Sequence, residues 1–151
     1  MYNLFISHSW EYSNDYERLE SLLKEYPYFM FKNYSVPKQD PLDITGRNYR
    51  AKLKMEIEQQ MRTCNVVLVI AGKYASYSDS IDMELDIAIA MNKPIIAIEP
   101  WGSTMTSQRA KNVADAVVGW NVSSIVDAIR RYSKWWKKVY WLGLINIIML
   151  L

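Results

Sequence analysis

The chain has 151 residues, half of them hydrophobic and 23% charged, with a formal net charge of +2. This length suits one domain with its own core, and the composition excludes a disordered chain. So small a charge gives no argument for a nucleic-acid partner, and a single cysteine, Cys64, excludes an internal disulfide and fits a reducing, cytoplasmic compartment. Cys64 lies beside an apolar run, which favours burial over a nucleophilic role.

Short apolar runs alternate with amphipathic stretches, beginning at an amino terminus that has no secretory basic region. The predicted strands are Tyr2–Ile6, Phe29–Phe31, Val66–Ile70, Pro94–Ile98 and an edge strand at Ala116–Val118. The predicted helices are Tyr12–Lys24, a helix capped by Asn48 that runs to Arg62, Ile81–Met91, and one from Val122 capped by Asn121 or Ser123. This alternation predicts an α/β domain whose central parallel sheet of four to five strands is covered by helices on both faces.

Loops that follow the strands of such a sheet meet at one rim, where ligands bind. The rim loops are Ser7–Trp10, Asn33–Ser35, Ala71–Ser80 and Glu99–Gly102. The five glycines are not clustered, which excludes a glycine-rich phosphate loop, and one His and one Cys make no metal site. His8 is too close in sequence to its flanking serines to act as the base of a Ser-His-acid triad.

One acid, Glu84, is predicted to lie at this rim, in the first turn of the helix from Ile81. The helix dipole favours a carboxylate there, so the pattern alone leaves a purely stabilising role open. Ordinary glycosidases need two carboxyl groups because the sugar leaving group must be protonated. The nicotinamide of oxidised NAD departs as a neutral molecule, so a single anion can stabilise the oxocarbenium ion that remains.

Five blocks of sequence carry a family resemblance: Leu4–Trp10, Asn33–Pro37, Ile81–Ala88, Lys93–Gly102 and Val118–Asn121. In order and spacing they resemble the TIR-like proteins of bacterial Thoeris antiphage defence (ThsB type). The resemblance implies a flavodoxin-like three-layer fold and an enzyme that converts NAD into a cyclic ADP-ribose isomer. It further implies a phage-derived trigger and a partner effector protein activated by the diffusible product; NAD is the substrate, and no cofactor or metal is implied.

The resemblance also implies roles for individual residues. Glu84 matches the catalytic glutamate. The segment that lines the nucleotide pocket is matched by Phe5, Ser7 and His8, and the loop that covers or assembles the site begins with Asn33, Tyr34 and Ser35. Many TIR domains carry a tryptophan shortly before the glutamate, which Asp79-Ser80-Ile81 lacks.

Two interpretations each stay open for two aromatic residues and for the function itself. Tyr34 either stacks on a base or anchors its loop. Trp101, in a loop after a strand, either packs against the sheet or faces the ligand. The alternative to an enzyme is a non-enzymatic TIR adaptor that signals by self-association and binds a partner through the loop from Asn33 to Gly46.

Composition changes near residue 132, which predicts a TIR-like domain over residues 1–131 and a tail over 132–151. The cations before and within this tail are Arg130, Arg131, Lys134, Lys137 and Lys138. The following apolar run, Val139–Leu151, would span about 20 Å as a helix, less than the roughly 30 Å of a bilayer core. Three interpretations stay open: a membrane-associated end with tryptophans at the interface, an apolar helix packed on the domain or on a second copy, and a truncated terminus.

Overall fold

The structure is a computed structural model, and it describes residues 1–8, 14–35, 48–72, 79–102 and 106–134. The strands are β1 (Tyr2–Ser7), β2 (Phe31–Asn33), β3 (Val66–Ile70), β4 (Ile95–Glu99) and β5 (Ala116–Gly119). The helices are α1 (Asn14–Glu25), α2 (Tyr49–Arg62), α3 (Asp79–Ala90) and α4 (Gln108–Val113). A further helical stretch, α5, covers residues 122–134.

The strands form one parallel sheet in the order β2-β1-β3-β4-β5. Every residue of β3 is buried, as its unbroken apolar run predicts for a central strand. One apolar cluster joins the sheet to α2 and α3, and a second joins its other face to α1 and α5. The predicted α/β class, with a flavodoxin-like parallel sheet between two helical layers, is confirmed.

Strand β2 begins two residues later than its apolar pattern predicts. Phe29 is buried before the strand starts, with its ring stacked on Tyr2 at a centroid distance of 5.2 Å. The preceding residue, Tyr28, has a φ of 57° and turns the chain after α1. Phe29 therefore fills the core from a turn, and ladder pairing begins only at Phe31, opposite Tyr2.

The helix ends agree with the sequence in part. Asn121 caps α5, since its Oδ1 accepts from the Ser124 amide at 3.0 Å. Asn48 stands at the N-cap position of α2, but its side chain makes no capping bond. Helix α4 was not predicted, because six residues are too few to show a periodicity; its cap is Ser107, whose Oγ accepts from the Ala110 amide at 3.2 Å.

Cys64 is buried and free, as its apolar surroundings predict. Burial raises the pKa of this thiol to about 12, so it stays protonated and unreactive. Beside it, the Lys93 ammonium donates to the carbonyl oxygens of Arg62 and Cys64 at 2.9 and 2.8 Å. Lys93 therefore satisfies carbonyl groups at the carboxyl end of α2.

No helix within the described part of the chain is long and apolar enough to cross a membrane. The predicted apolar run, Val139–Leu151, lies outside the described residues. The boundary near residue 132 and the three interpretations of the tail stay predictions.

Candidate active site

The centre of the site is a hydrogen-bonded pair at the carboxyl end of β1. Ser7, the last residue of this strand, donates from its Oγ to Oε2 of Glu84 in α3. Ser7 is fully buried, and only 4% of Glu84 is exposed. The pair forms because β1 lies beside β3 in the sheet, and the chain leaving β3 returns through α3. The structure thus brings two of the predicted site residues into direct contact.

Glu84 is not in the first turn of its helix, and that prediction was wrong. Helix α3 begins at Asp79, so Glu84 is its sixth residue and lies in the second turn. The field of a helix terminus fades within one turn, so it does not set the charge of this carboxyl group. Burial sets the charge of this carboxyl group instead. It raises the pKa of Glu84 to about 8, and the hydrogen bond from Ser7 opposes part of that rise. Glu84 is therefore mainly a neutral acid at pH 7.

A second polar group lies between β1, β2 and α1. The buried His8 ring stacks on Tyr16 with centroids 4.0 Å apart. Asn33 donates from Nδ2 to the Tyr16 hydroxyl at 2.7 Å and to Glu20 Oε1 at 3.1 Å. The Asn33 amide is therefore held by α1. The sequence pattern did not single out Tyr16 and Glu20 for the site, although their four-residue spacing on a predicted helix places them on one face.

Ser35 fastens the start of the loop after β2 to β1. Its Oγ accepts from the Ile6 amide at 2.8 Å and donates to Asn33 Oδ1 at 2.5 Å. Tyr34 donates its amide to the Leu4 carbonyl at 2.8 Å, and its half-buried ring packs on the cluster between the sheet and α2 and α3. In this conformation Tyr34 anchors its loop. Contact of these residues with substrate stays a prediction.

The Ser35→Ala variant is expected to lose about 1–2 kcal/mol of unfolding free energy, because the part-buried Ile6 amide would lose its acceptor. Urea denaturation gives this value directly. Ser124→Ala is a suitable control because its hydroxyl bond, to Asn121 Oδ1, is exposed to solvent. Equal losses for both variants would show that Ser35 does not anchor the loop.

Phe5 and Trp101 lie at opposite extremes of exposure. Phe5 is fully buried in the cluster that contains Ile81 and Leu85, so here it supports the floor of the site. Trp101 is 81% exposed, and its Nε1 donates to the Trp120 carbonyl at 2.5 Å. This hydrogen bond holds Trp101 on the β4–β5 side of the rim. The interpretation that Trp101 packs against the sheet is therefore wrong.

Helix α4 adds an electrostatic clamp on the helix that carries Glu84. Arg109 Nε lies 2.8 Å from Asp82 Oδ1, and its Nη2 lies 2.6 Å from Asp86 Oδ1. The two aspartates are four residues apart, so one guanidinium spans a full turn of α3. These side chains are half-exposed, so the clamp contributes modestly to stability and mainly orients α3.

The chemical capacity of this site follows from one acid and its surroundings. In the described ranges, no three His, Cys, Asp or Glu side chains converge as metal ligands would. A single carboxyl group with a raised pKa has two uses: it donates a proton when neutral, and it stabilises an adjacent cation when ionised. Cation stabilisation needs no second acid.

Comparisons with known proteins found one matching family model and a similar solved structure. Residues 5–105 match a family model described as "Thoeris protein ThsB, TIR-like domain". Among solved structures, a crystal structure of a prokaryotic SEFIR domain is similar at 17% identity with a TM-score of 0.48. That similarity covers 89% of this chain and 97% of the other. No curated protein matches the sequence significantly.

Proposed function

Because this chain belongs to the TIR-like domain family of the Thoeris protein ThsB, we propose that it breaks the nicotinamide–ribose bond of NAD in antiphage defence. The observation that supports this most directly is the buried pair of Ser7 and Glu84. A buried acid held by one hydroxyl donor, at the carboxyl ends of parallel strands, is arranged for work on a cationic substrate.

The proposed reaction uses Glu84 as an anion. When the bond between ribose C1′ and the pyridinium nitrogen breaks, its electron pair moves to nicotinamide, which leaves neutral. The ribose is left as an oxocarbenium cation, and the Glu84 carboxylate stabilises it. Attack by water gives ADP-ribose and a proton; attack by an internal nucleophile gives a cyclic isomer and a proton.

The proposed reaction needs Glu84 ionised, whereas its raised pKa favours the neutral acid. The positive charge of the substrate resolves this conflict. Ionisation of Glu84 is costly in the protein alone because the carboxyl group is buried. The pyridinium of NAD would place a positive charge near it and favour the ionised form. We therefore expect Glu84 to lose its proton when NAD binds, so that the carboxylate forms when substrate is present.

The other predicted site residues receive supporting roles in this proposal. Ser7 orients Glu84, the exposed Trp101 ring stacks on a base of the dinucleotide, and His8 and Tyr34 line the nucleotide pocket from positions held by Tyr16 and by the core. Asn33 and Ser35 hold the start of the loop that borders the site. The product is a cyclic ADP-ribose isomer that reaches a partner effector by diffusion, after a phage-derived trigger completes the site.

The test is nicotinamide release in the setting where the enzyme acts. Purified chain is incubated with NAD alone and with extract from phage-infected cells, and chromatography and mass spectrometry follow nicotinamide and the nucleotide product. We expect nicotinamide, and a product of the mass of cyclic ADP-ribose, in the infected extract. If infected-cell extract with the purified chain releases no more nicotinamide than the same extract without it, the proposal is wrong and the adaptor function takes its place.

The Ser7→Ala variant is expected to shift the pH dependence of this activity. The Ser7 hydrogen bond lowers the pKa of Glu84, so its loss moves that pKa further above about 8. In a pH profile of kcat/KM, which reports groups of the free enzyme, half-maximal activity moves to higher pH. An unshifted profile with a uniformly lower rate would mean that Ser7 contacts substrate without tuning Glu84.

A further inference from the structure

The turn between α1 and β2 displays two apolar side chains to solvent. Tyr28 is 101% exposed and Met30 is 68% exposed, whereas Phe29 between them is buried. Met30 lies at the amino edge of the sheet, since its carbonyl accepts from the Tyr2 amide at 2.9 Å. The two exposed side chains, here called the amino-edge pair, therefore project beyond the starts of β1 and β2.

The backbone of Tyr28 gives no local reason for a tyrosine. Its φ of 57° lies in the left-handed region, where glycine and asparagine are favoured and a bulky side chain is an outlier. A full side chain here adds conformational cost and gains no burial in the domain. This combination points to a contact with something outside the domain.

The end of α5 places positive charge beside the pair. The Arg130 guanidinium lies 5.9 Å from the ring centroid of Tyr26, and the Tyr132 hydroxyl donates to the carbonyl of Asp115, the residue before β5. Both contacts place the end of α5 at the amino edge of the sheet. Cations here or at the end of α1 are Lys24, Arg130, Arg131 and Lys134. Lys24 is paired with Glu20 at 3.2 Å, and the exposed acids on this edge include Glu25 and Asp115.

We propose that the amino-edge pair and the cations at the end of α5 form a surface that docks on an anionic lipid bilayer. Exposed apolar and aromatic groups flanked by Lys and Arg are the combination that binds the interface of such a membrane. A second copy is the poorer occupant, because a two-fold contact would set the same cations against each other.

This surface lies at the opposite end of the sheet from Ser7. The strands are parallel, so the carboxyl ends that carry the site face away from the edge where β1 and β2 begin. Docking through the amino edge therefore leaves the site open to the solution side. The inference concerns docking alone and does not depend on the proposed NAD chemistry.

Flotation or sedimentation of the full chain with vesicles tests the proposal. Vesicles of phosphatidylcholine alone are compared with vesicles that also contain phosphatidylglycerol. The wild-type chain should bind the anionic vesicles and bind the neutral ones at least about tenfold more weakly. The Tyr28→Asn/Met30→Ser variant and the Arg131→Gln/Lys134→Gln variant should each lower the partition coefficient about tenfold.

The substitutions separate a lost contact from lost folding. Asparagine adopts the left-handed region readily, so Tyr28→Asn should leave thermal stability unchanged or higher while binding falls. Met55→Ser on α2 is the matched control because Met55 is 69% exposed, and it should bind vesicles as the wild type does. The proposal would be overturned by no binding to anionic vesicles, by equal binding to neutral ones, or by undiminished binding of the Tyr28→Asn/Met30→Ser variant. A change of oligomeric state in that variant with undiminished binding would assign the surface to a second copy of the chain.

Discussion

The Glu84→Gln variant is expected to release nicotinamide from NAD at least about a hundredfold more slowly than the wild-type chain. Loss of one preorganised electrostatic contact with the transition state typically costs about a hundred- to a thousandfold in kcat. Glutamine has nearly the same shape, and its carbonyl oxygen can still accept the hydrogen bond from Ser7. What it cannot supply is the negative charge opposite the oxocarbenium ion.

The measurement is the nicotinamide assay in extract from infected cells, with both proteins at equal concentration. The matched control is Glu58→Gln, the same chemical change on α2, where the partly exposed side chain lies 3.8 Å from the Lys54 ammonium. Its rate should stay within about twofold of the wild type. A Glu84→Gln rate equal to that of the control would contradict a catalytic role for Glu84.

The free energy of unfolding is expected to fall as pH rises from about 4.5 to about 8, and Glu84→Gln should remove much of this fall. Burial raises the pKa of Glu84 from 4.5 to about 8 in the folded domain. Between these values the folded state holds a proton that the unfolded state has lost. The contribution of Glu84 to the free energy of unfolding is therefore fully present below pH 4.5 and is lost as pH rises to about 8. The total change is at most about 5 kcal/mol.

Urea denaturation at a series of pH values across this window measures the effect. The difference in stability between Glu84→Gln and the wild type should grow in favour of the variant as pH rises, and then level off above the folded-state pKa. Glu58→Gln should reproduce the wild-type profile. Parallel profiles for the wild type and Glu84→Gln would show that Glu84 is not held neutral in the folded protein.

Together the two results would describe one trade-off. The carboxyl group that the proposed reaction needs in its ionised form is one that burial in the folded domain favours in its neutral form. A variant that is more stable at alkaline pH and inactive is therefore the expected outcome. A variant that is inactive because it has unfolded would show lower stability, so the two measurements distinguish these cases.

The layers of the fold, its central strand and the rim could all be predicted from the order of the residues. Val66–Ile70 is apolar at every position, and only a strand covered on both faces can bury such a run. The same alternation placed Ser7 and Glu84 near one edge of the sheet but left Glu84 either a helix-stabilising or a catalytic acid, and the family resemblance then favoured the catalytic role. These features are local or periodic, so they are visible in one dimension.

The protonation state and the hydrogen-bond partners of these groups became visible in the folded domain alone. The neutrality of Glu84 depends on burial beneath the sheet rim, and its place in the second turn depends on where packing starts α3. Asn33 is bound by Tyr16, a residue 17 positions away, and Tyr28 is exposed while its neighbour Phe29 is buried. Burial and long-range hydrogen bonds arise from contacts between distant segments, and no periodicity along the chain encodes them.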